Sequence, residues 1–360
     1  MTGKLDIVIF GLSLSSSWGN GHATTYRALL RGLDTLGHRV LFLERDVPWY
    51  ASQRDLRQPD FCELVYYDDL NDALATYRTA IETADAVIIG SYVPEGVTLI
   101  DRVVALRPRQ LCFYDIDTPV TLAKLDRGDE EYLAKRQIAF FDTYFSFSGG
   151  AVLRRLEGDY GARQAADLYC SVDAEKYKPM DEPLSWDLGY LGTYSPDRQP
   201  ALEKLLIEPA RRLPEKRFVV AGPQYPNDIN WPQNVERIEH LAPDRHPAFY
   251  SRQRFTLNIT RADMIAAGWS PSVRLFEAAA CGVPIISDWW QGLDEIFETG
   301  KALRVAHTTE DVVATLSNMP DERRQAIADA ASDIVLRHHT GLARASQLAA
   351  TIAARQIQHA

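Results

Sequence analysis

Residues 268–287 read "GWSPSVRLFEAAACGVPIIS". Ser270 followed by Pro271 has the pattern of a helix N-cap with proline at the first helical position. Val273, Phe276 and Ala280 share one helix face and can pack on a sheet. Gly282 falls just past the helix end, where glycine is favoured, and "VPIIS" (283–287) is a short buried strand. Ser272, Arg274 and Glu277 are left for solvent or for chemistry. A helix start with free N–H groups and serines suits a diphosphate. Arg274, in the first turn, would add charge-assisted hydrogen bonds, and Glu277, one turn on, could accept from two ribose hydroxyls. The plainer alternative is an Arg–Glu pair three apart on a solvated helix.

Working outward, the same strand–helix alternation fills the chain. In the first half the apolar runs are "DIVIF" (6–10), "RVLFLE" (39–44), "DAVIIG" (85–90), "QLCFYD" (110–115) and "TYFSFS" (143–148). A helical spacing from His22 to Leu36 is stopped by Gly37. In the second half they are "LGYLG" (188–192), "RFVVAG" (217–222), "RFTLNIT" (254–260) and "VPIIS". Continuous apolar strands between amphipathic helices imply parallel sheets covered on both faces. The expected organisation is an α/β chain of two Rossmann-like, doubly wound domains, 1–172 and 188–338, with a polar linker at 173–187. Residues 339–360 form a closing helix. Acidic residues stop at Asp333, Arg337, Arg344 and Arg355 follow, and Leu342, Leu348, Ile352 and Ile357 make an apolar stripe. The stripe is expected to pack back on the first domain; a weak membrane-surface contact is the alternative.

Bulk properties narrow the classes. With 360 residues, two domains of ordinary size are expected. Lys plus Arg is 39 against 49 for Asp plus Glu, a net charge of −10, which argues against a nucleic-acid partner. The four cysteines are scattered, with no CxxC pair, which fits a reducing, cytoplasmic setting.

The stretch "SSSWGNGHATTYRALLRGL" (15–33) places Gly19, Gly21 and His22 where a loop becomes a helix. A dinucleotide fingerprint would need glycine at Thr24, although Glu44 lies near the position of a ribose-binding acid. A histidine there suits a general base, steadied by a carboxylate, and "YDIDTPVT" (114–121) supplies Asp115 and Asp117. "DID" is also a metal-type D-x-D, but two Rossmann-like halves favour a site with no metal.

Together "LGTYSPDRQPAL", "VVAGPQYP" and "SPSVRLFEAAACG" in the second half, with "SSWGNGHATTYRAL" and "LFLERDVPWY" in the first, resemble the CgeB-like (spore maturation protein) group of family-1-type glycosyltransferases with the GT-B fold. The resemblance implies two domains facing a cleft. It also implies a nucleoside-diphosphate sugar, UDP or dTDP type, as co-substrate and no separate cofactor. The acceptor would be a small molecule, a glycan or a protein. An epimerase or hydrolase of the same fold, or a non-catalytic nucleotide-sugar binder, is the alternative. On the donor side it implicates Gly192, Thr193, Tyr194 and Arg198 after one strand, Gly222 and Pro223 after the next, then His240, Leu241 and Arg261. Ser270, Ser272, Val273, Arg274 and Glu277 complete that set, with Gly19 and Gly21 facing the donor sugar. On the acceptor side it makes His22 the base, backed by Asp117 or Asp115. Eight residues before Glu277, where many retaining members have a second glutamate, this chain has Trp269.

Overall fold

A computed structural model describes residues 3–18 and 21–359. The chain forms two compact units: 1–171 with 340–360, and 172–339.

The first unit holds a seven-stranded sheet: β1 (Asp6–Gly11), β2 (Arg39–Arg45), β3 (Glu63–Tyr67), β4 (Ala86–Gly90), β5 (Leu111–Asp115), β6 (Thr143–Ser146) and β7 (Ala165–Asp167). Their order is β3-β2-β1-β4-β5-β6-β7, and every pairing is parallel. Ile9 stands opposite Phe42 on one side and Ile88 on the other, so the central strands are apolar on both faces. The helix His22–Thr35 follows β1 and ends at Gly37, whose φ of +82° is the left-handed turn that glycine accommodates. The N–H of His38 returns to the carbonyl of Leu33 at 3.0 Å, closing that helix end.

The closing helix Gly341–His359 packs on His22–Thr35. A Cβ at Gly32 would lie 2.4 Å from the carbonyl oxygen of Gly341, so two small residues let these helices approach closely. Leu348 and Ile352 are buried in the first unit's core, and Gln110 donates to the carbonyl of Ile352 at 2.9 Å. The middle of the apolar stripe is thus consumed by packing, while Leu342 at its start is exposed. Among the described residues no helix is long and apolar enough to cross a membrane.

The second unit holds six parallel strands: β8 (Trp186–Leu191), β9 (Phe218–Ala221), β10 (Val235–Ile238), β11 (Gln253–Asn258), β12 (Ile285–Ser287) and β13 (Arg304–Val305). Their order is β10-β9-β8-β11-β12-β13. The polar stretch 173–187 belongs to this unit: Tyr177 is buried, and the Met180 N–H donates to the Ser251 hydroxyl at 3.0 Å.

Both sheets change winding direction once, between β1 and β4 in the first and between β8 and β11 in the second. The loops leaving the carboxyl ends of the two central strands diverge there and open a crevice, the position where doubly wound sheets bind ligands.

Candidate functional site

In the second unit the crevice is a cavity of about 430 Å³, within the range of small-molecule sites. Gly192, Thr193 and Arg198 reach it from the segment after β8, Arg261 from that after β11, and Ser272, Val273, Arg274 and Glu277 from the helix start. Gly222 and Pro223 follow β9, and His240 and Leu241 follow β10, on its remaining wall. Of the residues expected there from the second unit, two lie outside it. Tyr194 stacks edge-on against Tyr225, and Ser270 is fully buried with its hydroxyl donating to the carbonyl of Gly268 at 2.8 Å.

That use of Ser270 corrects the expected cap. The helix is Val273–Ala280, and Ser272 is its N-cap, accepting from the Arg274 N–H at 3.4 Å. Gly268 and Trp269 are both left-handed, and the Trp269 N–H is tied to the carbonyl of Gln291 at 2.7 Å. The side chain that caps the helix is that of Ser272. The far end follows expectation: Gly282 has φ +69°, and the Val283 N–H returns to the carbonyl of Ala278 at 3.1 Å.

The cavity floor is backbone. Gly222 has φ +143°, and a Cβ there would sit 2.1 Å from the carbonyl oxygen of Gly192. Only glycine permits this approach of two loops. Above it stand three guanidinium groups. Arg274 is fixed by the carbonyls of Leu191 and Ile259 and by the Asn258 amide oxygen at 3.1 Å, and lies over the Tyr190 ring at 5.1 Å. Arg198 is buried, donates to the Thr193 carbonyl at 2.6 Å, and keeps a buried Nε without a partner. Burial, then the charges of Arg274 and Arg261, hold its pKa below the usual arginine value. None of the three forms an ion pair among the described residues, so the Arg274–Glu277 surface pair does not form. Repulsion of this kind is relieved by an anion.

One turn along, Glu277 is buried. Tyr250 donates to its Oε2 at 3.3 Å, and His246 Nδ1 lies 3.8 Å away. Burial raises the Glu277 pKa; Tyr177, Arg274 and Tyr250 oppose that push. Burial drives His246 down to about 4, so it is neutral beside the carboxylate at pH 7. His246, Tyr250 and Tyr177 escaped the sequence reading. His246 and Tyr250 are four apart on the short helix His246–Ser251, a spacing that puts them on one face, but the strand before it, β10, is an edge strand with no continuous apolar run to mark a ligand-facing loop.

In the first unit the crevice holds other chemistry. His22 begins its helix and is buried, and its Nε2 lies 2.7 Å from Asp117 Oδ2. Asp115 points elsewhere: it is fully buried and accepts from Tyr144 at 2.6 Å and Thr121 at 2.7 Å. Burial raises its pKa to about 6, and the charge of Asp117 adds to the effect. The two aspartates of "DID" therefore serve different partners. Tyr92, left-handed at φ +61°, sets its ring edge-on to His22 at 5.9 Å and against Tyr132 at 4.4 Å.

Gly21 caps the His22 helix with an ordinary φ of −84°, and a Cβ there would meet nothing. Gly19 lies outside the described residues. The loop after β1 is filled from within. The buried Glu44 carboxylate accepts from the N–H groups of Leu14 at 2.6 Å and Ser15 at 2.9 Å, and from the Ser15 hydroxyl at 2.5 Å. Glu44 thus takes up donors that a dinucleotide phosphate would need.

Residues 198–350 match a family model described as glycosyl transferase-like. No curated protein matches the sequence. Solved structures with the same arrangement include Anabaena Alr3699/HepE in complex with UDP-glucose, 13% identical, covering 97% of this chain and 100% of that one, with a TM-score of 0.67. Sucrose-phosphate synthase (tll1590) from Thermosynechococcus elongatus is 12% identical over 99% and 100% of the two chains, TM-score 0.68. AviGT4, a glycosyltransferase involved in avilamycin A biosynthesis, is 16% identical over 97% of both, TM-score 0.63. The chain has the GT-B glycosyltransferase fold and carries a glycosyl transferase-like domain over residues 198–350.

Proposed function

We propose that the protein moves a sugar from a nucleoside-diphosphate donor to an acceptor hydroxyl, and that arginines rather than a metal ion stabilise the leaving group. The observation that carries this reading is the convergence of Arg198, Arg261 and Arg274, none of them in an ion pair among the described residues, on the cavity that also receives the buried Glu277. The diphosphate meets the guanidinium groups and the capped helix start. As the glycosidic bond breaks, negative charge grows on the diphosphate, and fixed donors already face it. Glu277 accepts from ribose hydroxyls, and the walls at Pro223 and Leu241 receive the base. The first unit supplies the proton acceptor through the His22–Asp117 pair. The solved UDP and UDP-glucose complexes of this fold favour a uridine donor. The acceptor is a small molecule, glycan or protein that presents a hydroxyl.

A thermal-shift panel of UDP-, GDP- and dTDP-sugars tests the donor site. At least one nucleotide class is expected to raise the melting temperature, and the Glu277→Gln variant to lose most of that rise. Silence across the panel removes the reading. Acceptor-dependent release of the nucleoside diphosphate then separates a transferase from a binding protein.

A further inference from the structure

We propose that Asp117, and not His22, takes the proton from the acceptor hydroxyl, with His22 behind it as a positioning residue. This rests on the transferase reading above and reverses the expected order of the pair.

The geometry of His22 leaves it no nitrogen to use. Its side chain is 7% exposed, against 40% for Asp117. Nε2 is engaged with Asp117 Oδ2 at 2.7 Å. Nδ1 is buried without a partner among the described residues. An imidazole donating from Nε2 keeps its lone pair on Nδ1. A proton delivered to Nδ1 would create a charged ring with a buried, unpaired N–H, which is a costly state. The Asp117 side chain differs in both respects. Among the described residues only His22 bonds to it, through Oδ2, so Oδ1 is available on the half-exposed carboxylate. Its backbone is fixed as well: the carbonyl accepts from Val120 at 2.8 Å and Thr121 at 3.0 Å, and the N–H donates to Asp115 Oδ1 at 3.2 Å.

The groups around the His22–Asp117 pair come from three elements besides that of Asp117. His22 begins the helix after β1, Tyr92 follows β4, and Tyr132 stacks on Tyr92. Lys124 lies over both tyrosine rings but is itself paired with Asp129 and Glu131. Asp115 stands behind. In the reaction the acceptor O–H bond breaks and its proton passes to Asp117 Oδ1. The freed oxygen pair bonds to the anomeric carbon of the sugar. The bond from that carbon to the diphosphate oxygen breaks, and its electrons leave with the diphosphate. The His22 Nε2–H holds Oδ2 throughout and transfers nothing.

His22→Gln is the discriminating variant, since a glutamine amide can donate to the carboxylate but cannot act as a base. The full-length protein is assayed for nucleoside diphosphate release from UDP-, GDP- and dTDP-glucose with a panel of hydroxyl acceptors, from pH 4.5 to 9. Asp117→Asn is expected to lower kcat by about 1,000-fold, in the range of a lost general base, with the affinity for UDP unchanged. His22→Ala is expected to lose roughly 10-fold in kcat with KM for the donor unchanged, because the donor that orients the carboxylate is gone. His22→Gln is expected to recover the rate. An inactive His22→Gln in a protein that still binds UDP overturns the assignment while leaving the transferase reading intact. A wild-type protein that binds UDP yet transfers to no acceptor overturns both. Nitrogen-15 spectra of the imidazoles give a check without turnover: the Nε2–H tautomer of His22 is expected, and the Nδ1–H tautomer contradicts the arrangement.

Discussion

The two units share a winding scheme and differ in what fills the loop after the first strand. In the first unit that loop is plugged from inside, with Glu44 taking the amides of Leu14 and Ser15. In the second the equivalent loop is held open. Gly192 and Gly222 meet backbone to backbone, and Arg198, Arg261 and Arg274 gather with no ion pair to a carboxylate among the described residues. The same topological crevice is therefore satisfied by an internal anion in one unit and left to wait for an external one in the other. Topology places a site, and charge compensation decides whether it binds an anion.

The comparison can be broken at the glycines first. Gly222→Ala is expected to cost the second unit about 3 kcal/mol or more, since a strained φ and a backbone clash must both be relieved. Gly21→Ala, in open space with an ordinary φ, is expected to stay within about 0.5 kcal/mol. Urea unfolding of each variant reads both. Next comes charge. Arg274→Ala is expected to weaken UDP about 100-fold by calorimetry, the scale of lost charged hydrogen bonds. Arg27→Ala, which removes a pair with Asp55 in the first unit, should leave UDP binding unchanged.

The units are also expected to answer acid with opposite signs. Asp115 has a folded pKa of about 6, raised by burial above the ordinary aspartate value of 3.8. Its contribution is full below 3.8 and is lost as pH rises through 6. His246 has a folded value near 4, below 6.5. Its contribution is full above 6.5 and is lost as pH falls toward 4. Each effect is on the order of 3 kcal/mol. Melting curves between pH 4 and 7.5 for Asp115→Asn and His246→Asn should each remove one slope and spare the other. The smallest effect is expected at Glu277, whose burial disfavours its charge. Glu277→Gln should stabilise the unliganded protein by roughly 1 kcal/mol and weaken UDP about tenfold, a trade of stability against binding.

How much of this was legible in the sequence follows from burial. The nine strands that read as apolar runs lie in the sheet interiors or one place from an edge. The four that did not, β3, β7, β10 and β13, are the edge strands of their sheets. An edge strand is buried on fewer sides, so "VERI" and "AAD" carry no continuous apolar signal. At the site, residues just beyond interior strands were readable because strand ends mark ligand-facing loops; Gly192, Gly222 and Arg261 are of this kind. Tyr177, His246 and Tyr250 were not, because they reach Glu277 from a polar segment and from a short helix. Ser270 misled because its hydroxyl caps a carbonyl two residues back, a use that spacing cannot distinguish from a helix cap. The partnership of His22 with Asp117, 95 residues apart, was open to guesswork from residue type. Which of the two faces outward was not, since that depends on side-chain exposure.

Calorimetric titration of UDP into the full-length protein and its Arg274→Ala, Glu277→Gln and His22→Gln variants tests the donor site most directly. One site per chain is expected, with binding weakened about 100-fold by the first variant and tenfold by the second, and unchanged by the third. Equal affinity for UDP in all four proteins would contradict a diphosphate site at the three arginines.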